Sequence, residues 1–244
     1  MKNNAFLSII IPVKNEQENI AWTIEKIGRT VLVNHEILII YDSPQDLTLP
    51  IVKKLQGKKK NLRLIRNKES DGVLYAVKTG IDKAHGDILV VMAADRTDDP
   101  RTINTMYKKI LEGYDIVCPT RYSKGGKVIG PTSIKSLLSK LSGVSTPYLL
   151  GIPTSDLTYS FKMFRKKILD TIEIQSVGGF EFAEELLIKS HFTGARIIEV
   201  PTIWVDRKYG QSKFKLAAWL PSYIYWYVWG IIMRIRSLLM PSHI

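Results

Sequence analysis

Apolar and polar positions along this chain follow two rhythms, and for the first 120 residues the rhythms take turns. Leu7–Pro12 (LSIIIP) is an apolar run of strand length, closed by a polar turn at Lys14-Asn15-Glu16. Ile20, Ile24 and Ile27 then recur at helical spacing. Glu36–Tyr41 (EILIIY) predicts a second strand ending in Asp42-Ser43-Pro44, and Leu47–Leu55 a helix. Leu62–Ile65 reads as a short strand, and Gly72–Ala84 as a helix with Val73, Ala76, Val77 and Ile81 on one face. A strand at Ile88–Met92, a helix at Thr102–Leu111 and a strand at Asp115–Pro119 complete the series. Strands and helices alternating through short connections predict a doubly wound parallel α/β sheet. The chain shows no internal repeat.

The pattern centres on Ile88–Pro100 (ILVVMAADRTDDP). A continuous β-branched run predicts a strand buried on both faces, and ligands of open α/β sheets bind beyond the carboxyl ends of such strands. Asp95 follows the strand directly, behind the small residues Ala93 and Ala94, which suits a carboxylate holding a metal ion and its phosphates. Asp98-Asp99-Pro100 reads as the start of the next helix, Asp99 as its cap and Asp98 as turned outward.

After Thr120 the rhythm changes. Ser123-Lys124-Gly125-Gly126-Lys127 is glycine-rich and basic, either a mobile loop over a phosphate site or a solvated surface loop. A short helix near Lys135–Leu141, a strand over Asp156–Arg165 and an amphipathic helix at Phe180–Ser190 follow. Ile197–Val205 returns to strand, and Asp206–Lys213 (DRKYGQSK) is a basic loop. Leu216–Met233 then runs uncharged, carrying Trp219, Trp226, Trp229, Tyr223, Tyr225 and Tyr227 between Lys213/Lys215 and Arg234/Arg236. As a helix it spans about 27 Å, marginal for a bilayer core. Pro221 and the aromatics favour a membrane-interface helix over a spanning segment or a buried or oligomer-forming helix. The division expected is 1–215 for the α/β domain and 216–244 for the interface segment.

Composition sharpens this only in part. The 244 residues are 45% hydrophobic, enough for a full core, and carry a formal net charge of +12. That charge favours polyanionic partners, whether nucleic acid, anionic lipid or phosphorylated ligands. No zinc-finger spacing, RNA-recognition aromatic motif or basic heptad region supports nucleic acid. The single cysteine, Cys118, excludes an internal disulfide, and the apolar run at the N-terminus is too short for a signal peptide. A cytoplasmic protein, or one on the cytoplasmic face of a membrane, is expected. The pattern assigns no oligomeric state.

Taken together, several stretches resemble the family-2 glycosyltransferases of the GT-A fold, most closely the branch of polyprenyl-phosphate (dolichyl-phosphate) mannose and glucose synthases. The resemblance covers about residues 6–215. Pro12, Asn15 and Glu16 match the strand-end P-x-x-N-E, and Tyr41–Asp46 lies at the nucleotide-binding D-D-x-S-x-D stretch. Ala93-Ala94-Asp95 lies at the D-x-D metal motif. Thr120-Arg121-Tyr122 with Gly125-Gly126 matches S/T-R-Y-x-x-G-G. Asp156-Leu157-Thr158 and Phe161–Arg165 match D-x-T-S-G-F-R-x-x-R, and Gly179-Phe180 with Glu185 the helix carrying a functional acid. Asp206-Arg207 and Gly210–Lys213 match D-R-x-x-G-x-S-K. Ala93, Tyr41 and Lys14 depart from the pattern, replacing the first aspartate of D-x-D, the first of the nucleotide-binding pair, and a tyrosine before Asn-Glu.

The resemblance implies an inverting hexosyltransferase using a GDP- or UDP-sugar, with a polyprenyl phosphate or other lipid-linked acceptor. Donor binding falls to Pro12, Asn15, Glu16, Asp42, Ala93, Ala94, Asp95 and Arg121, and acceptor binding to Asp156, Thr158, Arg207, Ser212 and Lys213. Asp95 is the expected ligand of a divalent metal (Mg²⁺ or Mn²⁺) that steadies the leaving diphosphate, helped by Arg121, Arg207 and Lys213. A hydroxyl acceptor has to lose a proton and needs a base, for which Glu185 is the candidate; a lipid phosphate arrives as an anion. Two rival readings are a soluble transferase acting on a saccharide or protein hydroxyl, and a non-catalytic relative that binds nucleotide sugar.

Overall fold

Residues 6–131, 133–177, 179–210 and 216–240 are described by a computed structural model. The first strand, β1 (Leu7–Val13), shows the logic of the sheet: Ile9 and Ile11 enter one hydrophobic core and Ile10 the other. A strand buried on both faces needs no polar alternation, which is why the apolar runs are continuous. After β1 come α1 (Ile20–Thr30), β2 (His35–Tyr41), α2 (Leu49–Gln56), β3 (Leu62–Arg66), α3 (Val73–Lys83), β4 (Ile88–Val91), α4 (Thr102–Leu111) and β5 (Ile116–Thr120). Every element predicted before Thr120 is present. Next are β6 (Lys127–Ile129), α5 (Ile134–Leu149), β7 (Lys162–Arg165), α6 (Phe182–Phe192), β8 (Ile197–Pro201), β9 (Ile203–Val205) and α7 (Leu216–Leu239).

The main sheet has seven strands in the order β3-β2-β1-β4-β7-β5-β8. All pair in parallel except β7, which lies antiparallel between β4 and β5. Residues of α1, α2 and α4 pack on one face, and residues of α3, α6 and α7 on the other. Strand order reverses between β1 and β4, a switch point where α/β sheets open a crevice beyond the strand ends.

The later half corrects several expectations. Only the last four residues of Asp156–Arg165 form a strand. The preceding six make an arch, because Asp156 and Tyr159 turn their polar groups to Arg121 and Asp98. Ile197–Val205 is two strands: after Pro201, β9 leaves the main sheet and pairs with β6. The short helix expected near Lys135–Leu141 is sixteen residues long, started by a capping box at Ser133 and Ser136. The helix expected to be amphipathic, α6, is buried nearly all round, from Phe182 and Ala183 to Ile188 and Ser190. The α4 helix starts at Thr102, and Asp99 instead accepts the Arg101 N–H at 3.0 Å while pairing with the Arg101 guanidinium.

The aromatic segment from Leu216 continues as helix to Leu239. One face belongs to the core: Trp226 is buried and donates its indole N–H to Ser176 Oγ at 3.2 Å. The other face, with Ile224, Val228, Ile235 and Leu239, is exposed. Among the described residues no helix is long and apolar enough to cross a membrane.

Candidate active site

The crevice at the switch point has a β1–β2 side and a β4 side. Beyond β1, Asn15 adopts a left-handed φ of 55°, which its short polar side chain tolerates. Its N–H donates to Asp46 at 3.0 Å and its side-chain oxygen accepts the Leu47 N–H at 3.1 Å. The Glu16 N–H donates to Thr48 Oγ1 at 2.9 Å, so the loops after β1 and β2 lock together beside half-buried Pro12. Asp42 accepts from Asn67 Nδ2 at 2.8 Å and from the Gly72 N–H at 3.0 Å. Asn15 and Asp42 therefore shape the loops of the expected donor-binding edge, and Glu16, half-buried, stands on its rim.

On the β4 side, Ala93 and Ala94 leave the strand and Asp95 follows, buried. One Asp95 oxygen accepts the Thr97 hydroxyl at 2.7 Å, and the other is paired with the Arg207 guanidinium. Arg207 arrives on the segment after β9, which is pinned beside Asp95 where the Val205 N–H donates to Thr97 O at 3.1 Å. The carboxylate and guanidinium that the sequence placed 112 residues apart thus form one charged pair in the crevice.

Asp98 is the clearest correction here. It points inward, 4% exposed, accepting the Ala93 N–H at 2.8 Å and the Tyr159 hydroxyl at 2.5 Å. Burial pushes its carboxyl up to about 7, with the Asp95 charge adding to the shift.

The other side of the site is built on Arg121, which follows β5. Its Nε and Nη2 each reach a different oxygen of fully buried Asp156 at 2.7 Å, a bidentate pair. Burial opposes the guanidinium charge, but Asp156 outweighs it and holds the pKa above the ordinary value. The guanidinium lies over the Tyr159 ring, 4.5 Å from its centroid, and Nη2 also donates to Ser139 Oγ at 2.9 Å. Ser139 is in turn 2.9 Å from Thr158 Oγ1. A close approach makes this possible: a Cβ on Gly143 would lie 2.1 Å from Ser155 O, so only glycine lets α5 reach the arch. Gly126 likewise packs against the Thr120 and Arg121 carbonyls, where a Cβ would meet oxygen at 2.6 Å and 2.8 Å.

Asp156, expected to bind acceptor, instead holds Arg121, while Thr158 lies at the edge of the Arg121–Ser139 group. Lys135, unnoticed in the sequence, sits at the start of α5 in the field of Arg207, Asp206, Asp95 and Arg121. Partial burial lowers its ammonium pKa, and Arg207 adds to that. Ser212 and Lys213, and the Lys215 that flanks the aromatic segment, lie outside the described residues.

Glu185 is not an available base. It is fully buried and its oxygens accept the Gln175 N–H at 2.6 Å, the Ser176 N–H at 2.7 Å, the Ser176 hydroxyl at 2.6 Å and the Lys189 ammonium at 2.6 Å. Its work is to fix the loop before α6. An all-round apolar helix (Phe182, Ala183, Leu186, Leu187, Ile188) was the sequence signal that its carboxylates would be enclosed.

No group of three or more His, Cys, Asp or Glu side chains among the described residues is arranged to hold a metal ion. Mg²⁺ is commonly held by one or two carboxylates with substrate phosphates completing the shell. Asp95 at the strand end fits that role once a diphosphate lies beside it.

The shape of the chain is shared with solved nucleotide-sugar enzymes. It superposes on glucosyl-3-phosphoglycerate synthase from Mycobacterium tuberculosis bound to UDP with a TM-score of 0.69, at 16% identity, covering 93% of this chain and 80% of that one. The same enzyme with Mn²⁺, UDP and glucosyl-3-phosphoglycerate gives 0.66, at 16% identity over 94% and 80%. These place the fold in the GT-A class. Residues 8–173 match the family model for glycosyl transferase family 2, and the chain belongs to that family. A dolichol-phosphate mannosyltransferase of Pyrococcus furiosus is 32% identical over 214 residues, 86% of this chain; the chain spans 59% of that relative's length. A polyprenol monophosphomannose synthase of Mycolicibacterium smegmatis is 26% identical over 86% of this chain and 85% of that one.

Proposed function

We propose that this protein transfers a hexose, with inversion, from a GDP- or UDP-sugar to a polyprenyl phosphate at the cytoplasmic surface of a membrane. The observation that carries the reading is that Arg121, held by Asp156 and donating to Ser139 of α5, and the Asp95–Arg207 pair both act electrostatically on Lys135 at the start of α5, whose outer face is apolar. Both named relatives are synthases or transferases of lipid-phosphate mannose.

In this chemistry an oxygen of the lipid phosphate attacks the anomeric carbon while the bond to the nucleotide diphosphate breaks and its electron pair leaves with the diphosphate. The attacking phosphate is already anionic, so orientation between Arg121, Ser139 and Lys135 replaces a base. The enclosure of Glu185 agrees with that. Arg207, paired with Asp95, would meet charge developing on the diphosphate. A divalent ion held jointly by Asp95 and the diphosphate would supply further Lewis-acid stabilisation.

The competition between Arg207 and a metal for Asp95 gives a measurable consequence. In calorimetric titration without nucleotide, Mn²⁺ binding to the parent is expected to be weak and to tighten in Arg207→Ala, which frees the carboxylate. Transfer by the same variant is expected to fall by about 1.5–3 kcal/mol in activation terms. Identical Mn²⁺ binding by the parent, Arg207→Ala and Asp95→Asn would exclude Asp95 as a ligand.

Membrane attachment rests on two helices. Along the outer face of α5, Ile134 (74%), Leu137 (60%), Leu141 (67%) and Tyr148 (83%) are exposed at helical spacing. Tyr227 of α7 joins the two helices through Ser145 at 2.6 Å. Their exposed apolar residues, with Lys135, Lys140 and Arg236 beside them, fit an anionic lipid surface. Leu137→Glu/Leu141→Glu is expected to lower binding to anionic vesicles at least ~10-fold with an unchanged unfolding midpoint, since neither side chain is buried. Vesicle co-sedimentation reads this, and undiminished binding would remove α5 from the interface. Transfer itself is tested with labelled GDP-mannose and UDP-glucose: a product extractable into organic solvent supports the reading, and label confined to water contradicts it.

A further inference from the structure

The two halves of the site are carried by chain segments far apart in sequence, and one buried contact ties them. Asp98, on the segment after β4, accepts the Ala93 N–H at 2.8 Å and so closes the turn that presents Asp95. Its other oxygen accepts the Tyr159 hydroxyl at 2.5 Å. Tyr159 belongs to the arch that begins at Asp156, and its ring is the platform under the Arg121 guanidinium at 4.5 Å. Asp98 is 4% exposed and Tyr159 7%, so water does not compete for the bond. The arch is held from behind by Lys162, 1% exposed, whose ammonium donates to the Leu157 and Tyr159 carbonyls. Tyr159 is therefore fixed at its backbone, over its ring and at its hydroxyl.

We propose that Asp98 and Tyr159 are positioning residues for the transfer, their hydrogen bond setting the donor-side carboxylate Asp95 against the acceptor-side Arg121. The inference rests on the functional reading above, because it needs a reaction whose two partners are held by those two groups. Neither residue touches substrate. Each acts through a neighbour: Asp98 through the Ala93–Asp95 turn, Tyr159 through Arg121. In-line transfer between two anions depends on this spacing, and a displacement of about 1 Å can cost around 100-fold in rate. Loss of the pair is thus expected in kcat more than in binding.

The test compares Tyr159→Phe, Asp98→Asn and Asp98→Ala with the parent, using GDP-mannose and a polyprenyl phosphate. Circular dichroism confirms the fold of each. Tyr159→Phe keeps the ring under Arg121 and deletes only the hydroxyl. Its kcat is expected to fall about 10–100-fold with KM for both substrates within about twofold. Asparagine can accept from the Ala93 N–H and donate to the tyrosine oxygen. Asp98→Asn is therefore expected to stay within about threefold of the parent, while Asp98→Ala falls with Tyr159→Phe. Parent-like kcat in Tyr159→Phe, a rise in KM alone, or equal damage by Asn and Ala at position 98 would each overturn the proposal. Hydrolysis of GDP-mannose without acceptor separates the two readings. A parent that hydrolyses donor but glycosylates no lipid phosphate refutes the acceptor reading alone. The pair is then judged by hydrolysis, where Asp98→Ala should lose about tenfold through its freed Ala93 turn. Unchanged hydrolysis overturns it.

Discussion

Arg121→Ala is expected to abolish transfer and to cost about 3–5 kcal/mol of folding stability at once. The second effect comes from Asp156, which is fully buried and accepts three donors from Arg121, the backbone N–H at 3.0 Å and two side-chain nitrogens at 2.7 Å. Taking away the guanidinium strands a carboxylate in the interior. Removing both charges relieves that penalty, so Arg121→Met/Asp156→Leu is expected to recover most of the stability and none of the transfer. Urea unfolding and the transfer assay, run on the same preparations, separate the two roles. Transfer by the stable double variant would show that Arg121 is only a structural partner of Asp156.

A second large effect is tied to pH. Burial raises the Asp98 carboxyl from 3.8 to about 7, Asp95 adding to the shift while Tyr159, the Ala93 N–H and Arg121 oppose it. Between those values the native state keeps the proton and the unfolded chain has lost it. The stability contributed by this group is thus fully present below about pH 4 and is lost as pH rises through 7. At about 1.4 kcal/mol per pH unit, the loss across the window approaches ~4 kcal/mol. Asp98→Asn has no such proton to lose, so its unfolding midpoint should decline less than the parent's from pH 5 to pH 8. Glu184, also raised by burial, is common to both proteins and cancels in the comparison. Thermal unfolding in the presence of a chelator measures the difference, and equal slopes would mean that Asp98 titrates like a surface carboxylate.

What the sequence discloses depends on how local the cause is. Ile9–Ile11, Ile37–Ile40 and Ile88–Val91 are legible as buried parallel strands, because their continuity follows from two covered faces. The place of Asp95 in the crevice is legible for a related reason, since a carboxylate just past such a strand lies at the carboxyl edge of the sheet. Asp98 was misread because its direction depends on Tyr159, 61 residues away. Lys135 and Ser139 carry no motif. They reach the site because Gly143 lets α5 close on the Ser155 carbonyl, a contact with no local signature. Pro201, by contrast, was a readable break: it donates no ladder hydrogen bond, and the chain changes sheets just beyond it. The exposed apolar face of α5 and α7 was half legible. The aromatic run of α7 is conspicuous, yet Trp226 turns inward to Ser176, and the exposed stripe of α5 extends well beyond the short helix expected near Lys135–Leu141.

In the proposed reaction Arg121, Ser139 and Lys135 receive a phosphate rather than a hydroxyl. Side-by-side transfer of labelled hexose to polyprenyl phosphate and to the matching polyprenol, in the same vesicles, tests it most directly. The arrangement of the site predicts glycosylation of the phosphate alone, with no product from the alcohol. Equal use of the polyprenol, or use of it in preference, would contradict the account.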